Sequence, residues 1–160
     1  VITELDARRQ LKKLIQAAAP AARVYDDWPL EADETWNANA LKSPADGNEV
    51  HCWMMQRAAR TEEAAGTGRD LVQWTFEIWL FYGARSRAQE PASMTIFQQE
   101  IDAVAAYLAQ RRTLELDAPG SGVRGHRGLQ MYQGDKFPLS GRTVHIAKCQ
   151  LVLELYQHWC

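Results

Sequence analysis

Val72-Gln-Trp-Thr-Phe-Glu-Ile-Trp-Leu-Phe-Tyr82 places Val72, Trp74, Phe76, Ile78, Leu80 and Tyr82 at every second position, with Gln73, Thr75 and Glu77 between them. Alternation at period two puts one side-chain set on one face, so this stretch predicts a β-strand with a fully apolar face, ended by Gly83. Such a face needs a cover, and a helix pattern follows it. After a loop over 86–91, Thr95 and Gln98 have capping-box spacing, and Phe97, Ile101, Val104, Ala105 and Leu108 fall on one helical face. A helix over 94–111 is expected, with Arg111 and Arg112 suited to its negative C-terminal end.

Reading outward, residues 50–56 form an apolar run of strand length, and residues 57–69, polar with Gly66 and Gly68, read as a long mobile connection between two strands. Arg23-Val-Tyr25 before Asp26-Asp-Trp-Pro29 predicts a short strand entering a turn, and Asn37, Asn39, Pro44 and Asp46-Gly47-Asn48 mark a polar connection. At the start, Thr3 and Asp6 have capping-box spacing, and Ala7, Leu11, Leu14, Ile15 and Ala18 recur at helical intervals, predicting a helix over 4–18 that Pro20 stops. The last third reads as a strand over 129–133, a break at Gly134 and Pro138, and a long strand over 143–156. In the latter, Ala147, Cys149, Leu151, Leu153 and Leu155 alternate with Lys148, Gln150 and Glu154. The order α-β-β-β-α-β-β lacks regular βαβ alternation. It predicts a single α+β domain, a mostly antiparallel sheet with two helices packed on one face, carrying long loops near 57–70 and 118–128.

The 160 residues, 46% hydrophobic and 24% charged, have the balance of one folded domain and exclude a disordered tail. A chain of this size buries roughly 70% of its unfolded surface, enough for a core without staples. Eighteen basic against twenty acidic residues give a net charge of −2, which offers no global attraction to nucleic acid or an anionic membrane. No apolar run reaches membrane-span length and the start has no signal-peptide apolar block, so a soluble protein, cytosolic at synthesis, is expected. The odd count of cysteines, Cys52, Cys149 and Cys160, predicts reduced thiols, two of them within apolar patterns.

Several constellations invite chemistry. Gly120-Ser-Gly122-Val-Arg-Gly125 has the letters of a dinucleotide fingerprint, but it follows a helix and a proline and leads to a strand, so no phosphate would reach a helix N-terminus; a flexible loop over 118–128 is expected instead. His51-Cys52, His145 with Cys149, and His158 with Cys160 lack metal-site spacing, since residues four apart on a strand lie roughly 13 Å apart. No nucleophile elbow, metalloprotease helix or Walker loop occurs, and adjacent acids such as Glu62-Glu63 and Asp26-Asp27 read as solvated, so neither catalysis nor a cofactor or metal is expected. Charge is nevertheless segregated: Arg8, Arg9, Lys12 and Lys13 line the polar side of the first helix, while Asp26, Asp27, Glu31, Asp33 and Glu34 form an acidic stretch. These are either solvated faces or complementary edges of neighbouring subunits. Trp79 and Phe81, on the polar side of the central strand, imply either a sheet covered on both sides within one chain or an oligomer interface.

The order of elements, the strand Trp74-Thr-Phe-Glu-Ile-Trp-Leu-Phe-Tyr-Gly83, the amphipathic helix from Thr95 to Arg111 and the closing hairpin over 129–156 resemble the tail terminator proteins of long-tailed bacteriophages. The opening helix and Val24-Tyr-Asp-Asp-Trp-Pro29 fit the same layout. The resemblance implies a structural virion protein at the head-tail junction, made in the host cytoplasm, whose hexameric ring caps the tail tube, stops its polymerisation and offers a joining surface to the head connector or neck protein. Genomic DNA would pass through the lumen without sequence readout. A closed ring needs two different complementary faces on each subunit. Arg8, Arg9, Lys12, Lys13, Asp26, Asp27, Glu31, Trp79 and Phe81 are the candidate subunit-interface residues. Arg60, Glu62, Glu63, Arg69, Arg124, His126 and Arg127 are the candidates for contact with tube or connector. Segments 37–48 and 58–70 are longer than this layout needs, which keeps open another neck ring component, a collar or head-completion protein. A small-molecule-binding module or enzyme with a cleft near 118–128 is the contrasting class.

Overall fold

In the computed structural model, residues 1–27, 41–45, 49–83, 90–139 and 142–158 are described, with the side chains of residues 90, 91 and 139 left aside. The expected Trp28-Pro29 turn, the acids Glu31, Asp33 and Glu34, most of the 37–48 connection, residues 84–89 and Cys160 lie outside this set.

The central strand is longer than its alternation. It runs Arg69–Gly83 (β3) and pairs antiparallel with Val50–Ala64 (β2) on one side and Arg142–His158 (β6) on the other. Arg23–Tyr25 (β1) adds in parallel to β2 at Cys52, Trp53 and Met54. The far edge of β6 is shared by Val123–His126 (β4) and Gln130–Leu139 (β5), giving a six-stranded, mostly antiparallel sheet. Gly83 sits where three strands crowd: a Cβ there would stand 3.0 Å from Val144 Cγ2 and 3.4 Å from Val50 Cβ.

The helices Glu4–Ala18 (α1) and Glu90–Ala109 (α2) close one face. Thr3 caps α1 as expected: its hydroxyl accepts from the Asp6 amide at 3.2 Å and the Asp6 carboxylate accepts from the Thr3 amide at 2.8 Å. Ala7, Leu11, Leu14 and Ile15 of α1, with Phe97, Ile101, Val104 and Leu108 of α2, are buried against Trp74, Phe76, Ile78, Leu80 and the Leu151, Leu153, Leu155 row of β6. Each such large side chain contributes about 1.5–3 kcal/mol on leaving water. A smaller cluster on the opposite face joins Leu41, Val50, Cys52, Met54, Phe81 and Val144, at the Gly83 end of the sheet only. We call that end proximal and the hairpin end near Gly66 distal.

Four expectations need correction. The connection read over 57–69 is strand through Ala64 and again from Arg69, so the 57–70 loop is a hairpin arm with only a short turn. It shows no apolar alternation because neither face is buried: all of residues 57–64 are exposed. α2 begins at Glu90, so Thr95 and Gln98 lie within the helix and cannot form its cap; Pro91 falls in the first turn, where a missing N–H costs nothing. The 118–128 loop contains β4, held because the His126 amide donates to Arg112 O (2.8 Å) and the Tyr156 amide to Gly122 O (2.8 Å). Gly134 and Pro138 do not break β5; the irregularity is a bulge between Met131 and Gln133, and Pro138 stands on an edge strand that can spare a donor.

Candidate interaction surfaces

The expected tube or connector contacts, drawn from two stretches more than fifty residues apart in sequence, meet at the distal end of β6. The Arg69 guanidinium lies 4.4 Å and that of Arg124 5.3 Å from the centre of the Tyr156 ring, so one aromatic carries two cations. Arg124 (3.9 Å) and Arg127 (3.7 Å) both approach the Glu154 carboxylate, which also accepts from Gln73 Nε2 at 3.0 Å. Arg60 pairs with Glu62 and donates to Gln157 Oε1 at 3.0 Å. Glu63 stands exposed opposite Leu71. His126 is the member that does not belong: it is buried, accepts the Gly128 amide on Nδ1 (2.9 Å), and is hydrogen-bonded through Nε2 to Arg111 O (3.1 Å). Burial holds its imidazole below the usual pKa, so it pins the loop and presents nothing to a partner.

Sequence reasoning missed Tyr156, Glu154 and Gln157. The available signal was the polar partner set of β6: Glu154 and Tyr156 alternate with Leu153 and Leu155, and large polar residues facing away from a core have to face something else.

The charged segments on the α1 side are arranged otherwise than a pair of opposed edges. Arg8 Nη1 donates to Asp26 O at 3.0 Å and stands 3.6 Å from the Asp27 carboxylate, while its Nε pairs with Glu4 at 2.7 Å. The basic helix and the described part of the acidic stretch therefore touch within one subunit, leaving Arg9 and Lys13 exposed and Lys12 half-buried. Glu31 lies outside the described residues. Of the two aromatics, Phe81 is fully buried in the proximal cluster, which corrects its assignment as an interface residue: the chain covers it itself. Trp79 stays half-buried at the rim, with Lys148 Nζ 4.6 Å from its ring and its Nε1–H donating to Glu77 at 3.3 Å.

Beneath α2 the structure assembles polar groups that no sequence pattern announced. His51, Tyr82 and His145 stand side by side on β2, β3 and β6. Glu100 descends from α2 to pair with His51 and accepts the Trp53 indole N–H at 2.8 Å; Ser93 Oγ lies 2.9 Å from His145 Nε2. Burial, then the hydrogen bond to Glu49, raises the Tyr82 phenol well above its usual pKa. All are buried or half-buried, so the row fastens helix to sheet. Burial also pushes the thiols of Cys52 and Cys149 up to about 12, far from the thiolate form a nucleophile or metal ligand needs. Among the described residues no group of three or more His, Cys, Asp or Glu is placed to hold a metal. No described helix is long and apolar enough to cross a membrane.

Two shallow cavities flank the 118–128 segment. One of about 240 Å³ is lined by Gln73, Arg127, Gln150 and Glu154, the other of about 320 Å³ by Val1, Ile2, Ser121 and Tyr156. Comparison with protein-family models and with curated protein sequences returns no match.

Proposed function

We propose that this chain is a structural virion protein of the tail-terminator kind, a ring-forming subunit that caps the tail tube, ends its polymerisation and provides the joining surface for the head connector. The observation that carries the reading is the convergence of residues from the hairpin arm and the 118–128 segment on one end of the sheet. Arg69 and Arg124 lie over the Tyr156 ring there, Arg127 approaches Glu154 on the same strand, Arg60 with its partner Glu62 bonds Gln157, and Glu63 stands exposed on the arm, at the end farthest from the second apolar cluster. Exposed arginine on an aromatic, with mixed charge around it, suits a protein contact in which registry matters more than net attraction. The element order and sheet layout add the resemblance already drawn. DNA in the lumen would meet a near-neutral protein with little tendency to hold it.

Subunit contacts in the ring fall to the exposed cations Arg9 and Lys13, the accessible part of Trp79, and Asp26 and Asp27. Lysine at both Asp26 and Asp27 also sets like charge against Arg8, and is expected to weaken ring formation; unchanged oligomer size would remove the electrostatic edge. The distal contact is tested by co-sedimentation with assembled tail tubes. Arg69→Glu with Arg124→Glu should abolish pelleting while leaving the circular dichroism spectrum unchanged, and full pelleting of this variant would contradict the assignment. Binding to connector rings but not to tubes would instead favour a collar or head-completion component. The two cavities beside 118–128 support a second reading, a small-molecule-binding module, which predicts a monomer or dimer that ligands protect against thermal unfolding.

A further inference from the structure

The outer edge of β2 is covered by β1 only at Cys52, Trp53 and Met54, yet β2 continues to Ala64, and among the described residues no strand pairs with that edge farther along. Residues 57–64 are exposed throughout, and among the described residues no strand takes up their outward N–H and C=O groups, an edge that another strand can extend. The stretch reads Arg57-Ala-Ala-Arg60-Thr61-Glu62-Glu63-Ala64, basic in its first half and acidic in its second. We propose that a second copy of this chain pairs here, β2 against β2 and antiparallel, about a two-fold axis at Thr61.

Charge selects both the partner and the register. Arg60 and Glu62 lie on one face of the arm, opposite Trp74 and Val72 of β3. With Thr61 on the axis, Arg60 faces the partner's Glu62 and Glu62 faces the partner's Arg60, two opposite-charge pairs across strands. A slip of two residues one way sets Arg60 against the partner's Arg60, and the other way Glu62 against the partner's Glu62, so both neighbouring registers that keep the faces aligned are repelled. The irregularity between Arg57 and Ala59 ends the pairing on one side, leaving residues 59–63 as the paired segment. Within one subunit Arg60 pairs with Glu62 and reaches across β3 to Gln157, so both charges already lie on the face the pairing needs, and their contacts are exchanged for the partner's when two arms meet. The other long edge, β5, is a poorer occupant: it carries only Asp135 and Lys136 as charges, adjacent in sequence and so on opposite faces, and Pro138 removes a donor.

So short a contact gives a weak, concentration-dependent dimer. It covers Arg60 and Glu62, which the tail-terminator reading gives to tube or connector, so pairing would exclude tube binding and hold free subunits apart until a tube end competes. The pairing itself does not depend on that reading and is measured without tubes.

Two experiments on the full chain test it. In a Cys160→Ser background, Thr61→Cys should oxidise to a covalent dimer from a single site, because Thr61 opposes itself, whereas Glu63→Cys, which opposes Ala59, should cross-link far more slowly; equal rates would overturn the register. By sedimentation equilibrium, Arg60→Glu and Glu62→Arg should each weaken the dimer by about tenfold or more, and the double variant Arg60→Glu/Glu62→Arg should return to within about twofold of the parent. A double variant no better than the singles, an oligomer indifferent to all three, or a parent monomeric at every concentration would overturn the proposal. Dimer behaviour as expected with no capping of tubes would leave the pairing standing and remove the terminator reading.

Discussion

The proximal and distal halves of β2 pair with β3 in one nearly continuous register, and they differ in what lies over them. Proximally, α1 and α2 cover one face and the Leu41–Phe81–Val144 cluster the other, so side chains are chosen by packing. Distally, all of residues 57–64 of β2 are exposed, and charged side chains stand where apolar ones do proximally. One strand is thus a core element at Cys52 and Trp53 and an exposed, charged element at Arg60 and Glu62. Hydrogen bonding to β3 makes both halves strand; only burial makes one of them look like strand in sequence.

The sharpest way to break this contrast is to compare deletions at the two ends. Phe76→Ala, in the fully buried part of β3, should cost about 3–5 kcal/mol in urea unfolding. If it costs no more than an arm substitution, the division into core and arm is wrong. Next in size, Glu100→Ala removes the shared acceptor of His51 and the Trp53 indole and should cost about 2–3 kcal/mol, with Glu100→Gln costing less because it can still accept one of the two bonds.

A third effect is read as a slope. His126 titrates in the fold below its usual 6.5 because burial disfavours the imidazolium, so the unfolded chain binds that proton more readily. Its contribution is complete above pH 6.5 and is lost as pH falls through the folded value; His126→Gln should flatten stability against pH in that window. Thr3→Ala, removing the α1 cap, should cost about 1 kcal/mol. Smallest of all, Glu63→Ala on the arm should stay within about 0.5 kcal/mol in stability, and a larger loss would mean the arm is part of the core after all.

The same division explains what was legible beforehand. α1 was readable to the residue because Thr3, Asp6 and the Leu11-Leu14-Ile15 stripe carry all their information locally. The apolar face of β3 was readable because two helices cover it. β4 was not: it is held by pairing with Leu153, Glu154 and Leu155 of β6 and by the bond from the His126 amide to Arg112 O, partners outside its own segment. The start of α2 was misplaced because capping-box letters at Thr95 and Gln98 also occur inside a helix. The distal site was half readable: its arginines stand out in sequence, but the meeting of Arg69 and Arg124 on Tyr156 is set by the pairing of β3 and β4 with β6. The helix-to-sheet row of His51, Glu100, Ser93 and His145 left no local trace, since its members are brought together only by the packing of α2.

The central claim, that this subunit forms rings which cap tail tubes, is tested most directly by negative-stain imaging of the purified protein at high concentration, alone and mixed with tail tubes encoded beside it. The account predicts rings of about six subunits or density closing one end of each tube. Tubes that keep both ends open and continue to grow in its presence, with no rings in the protein alone, would contradict it.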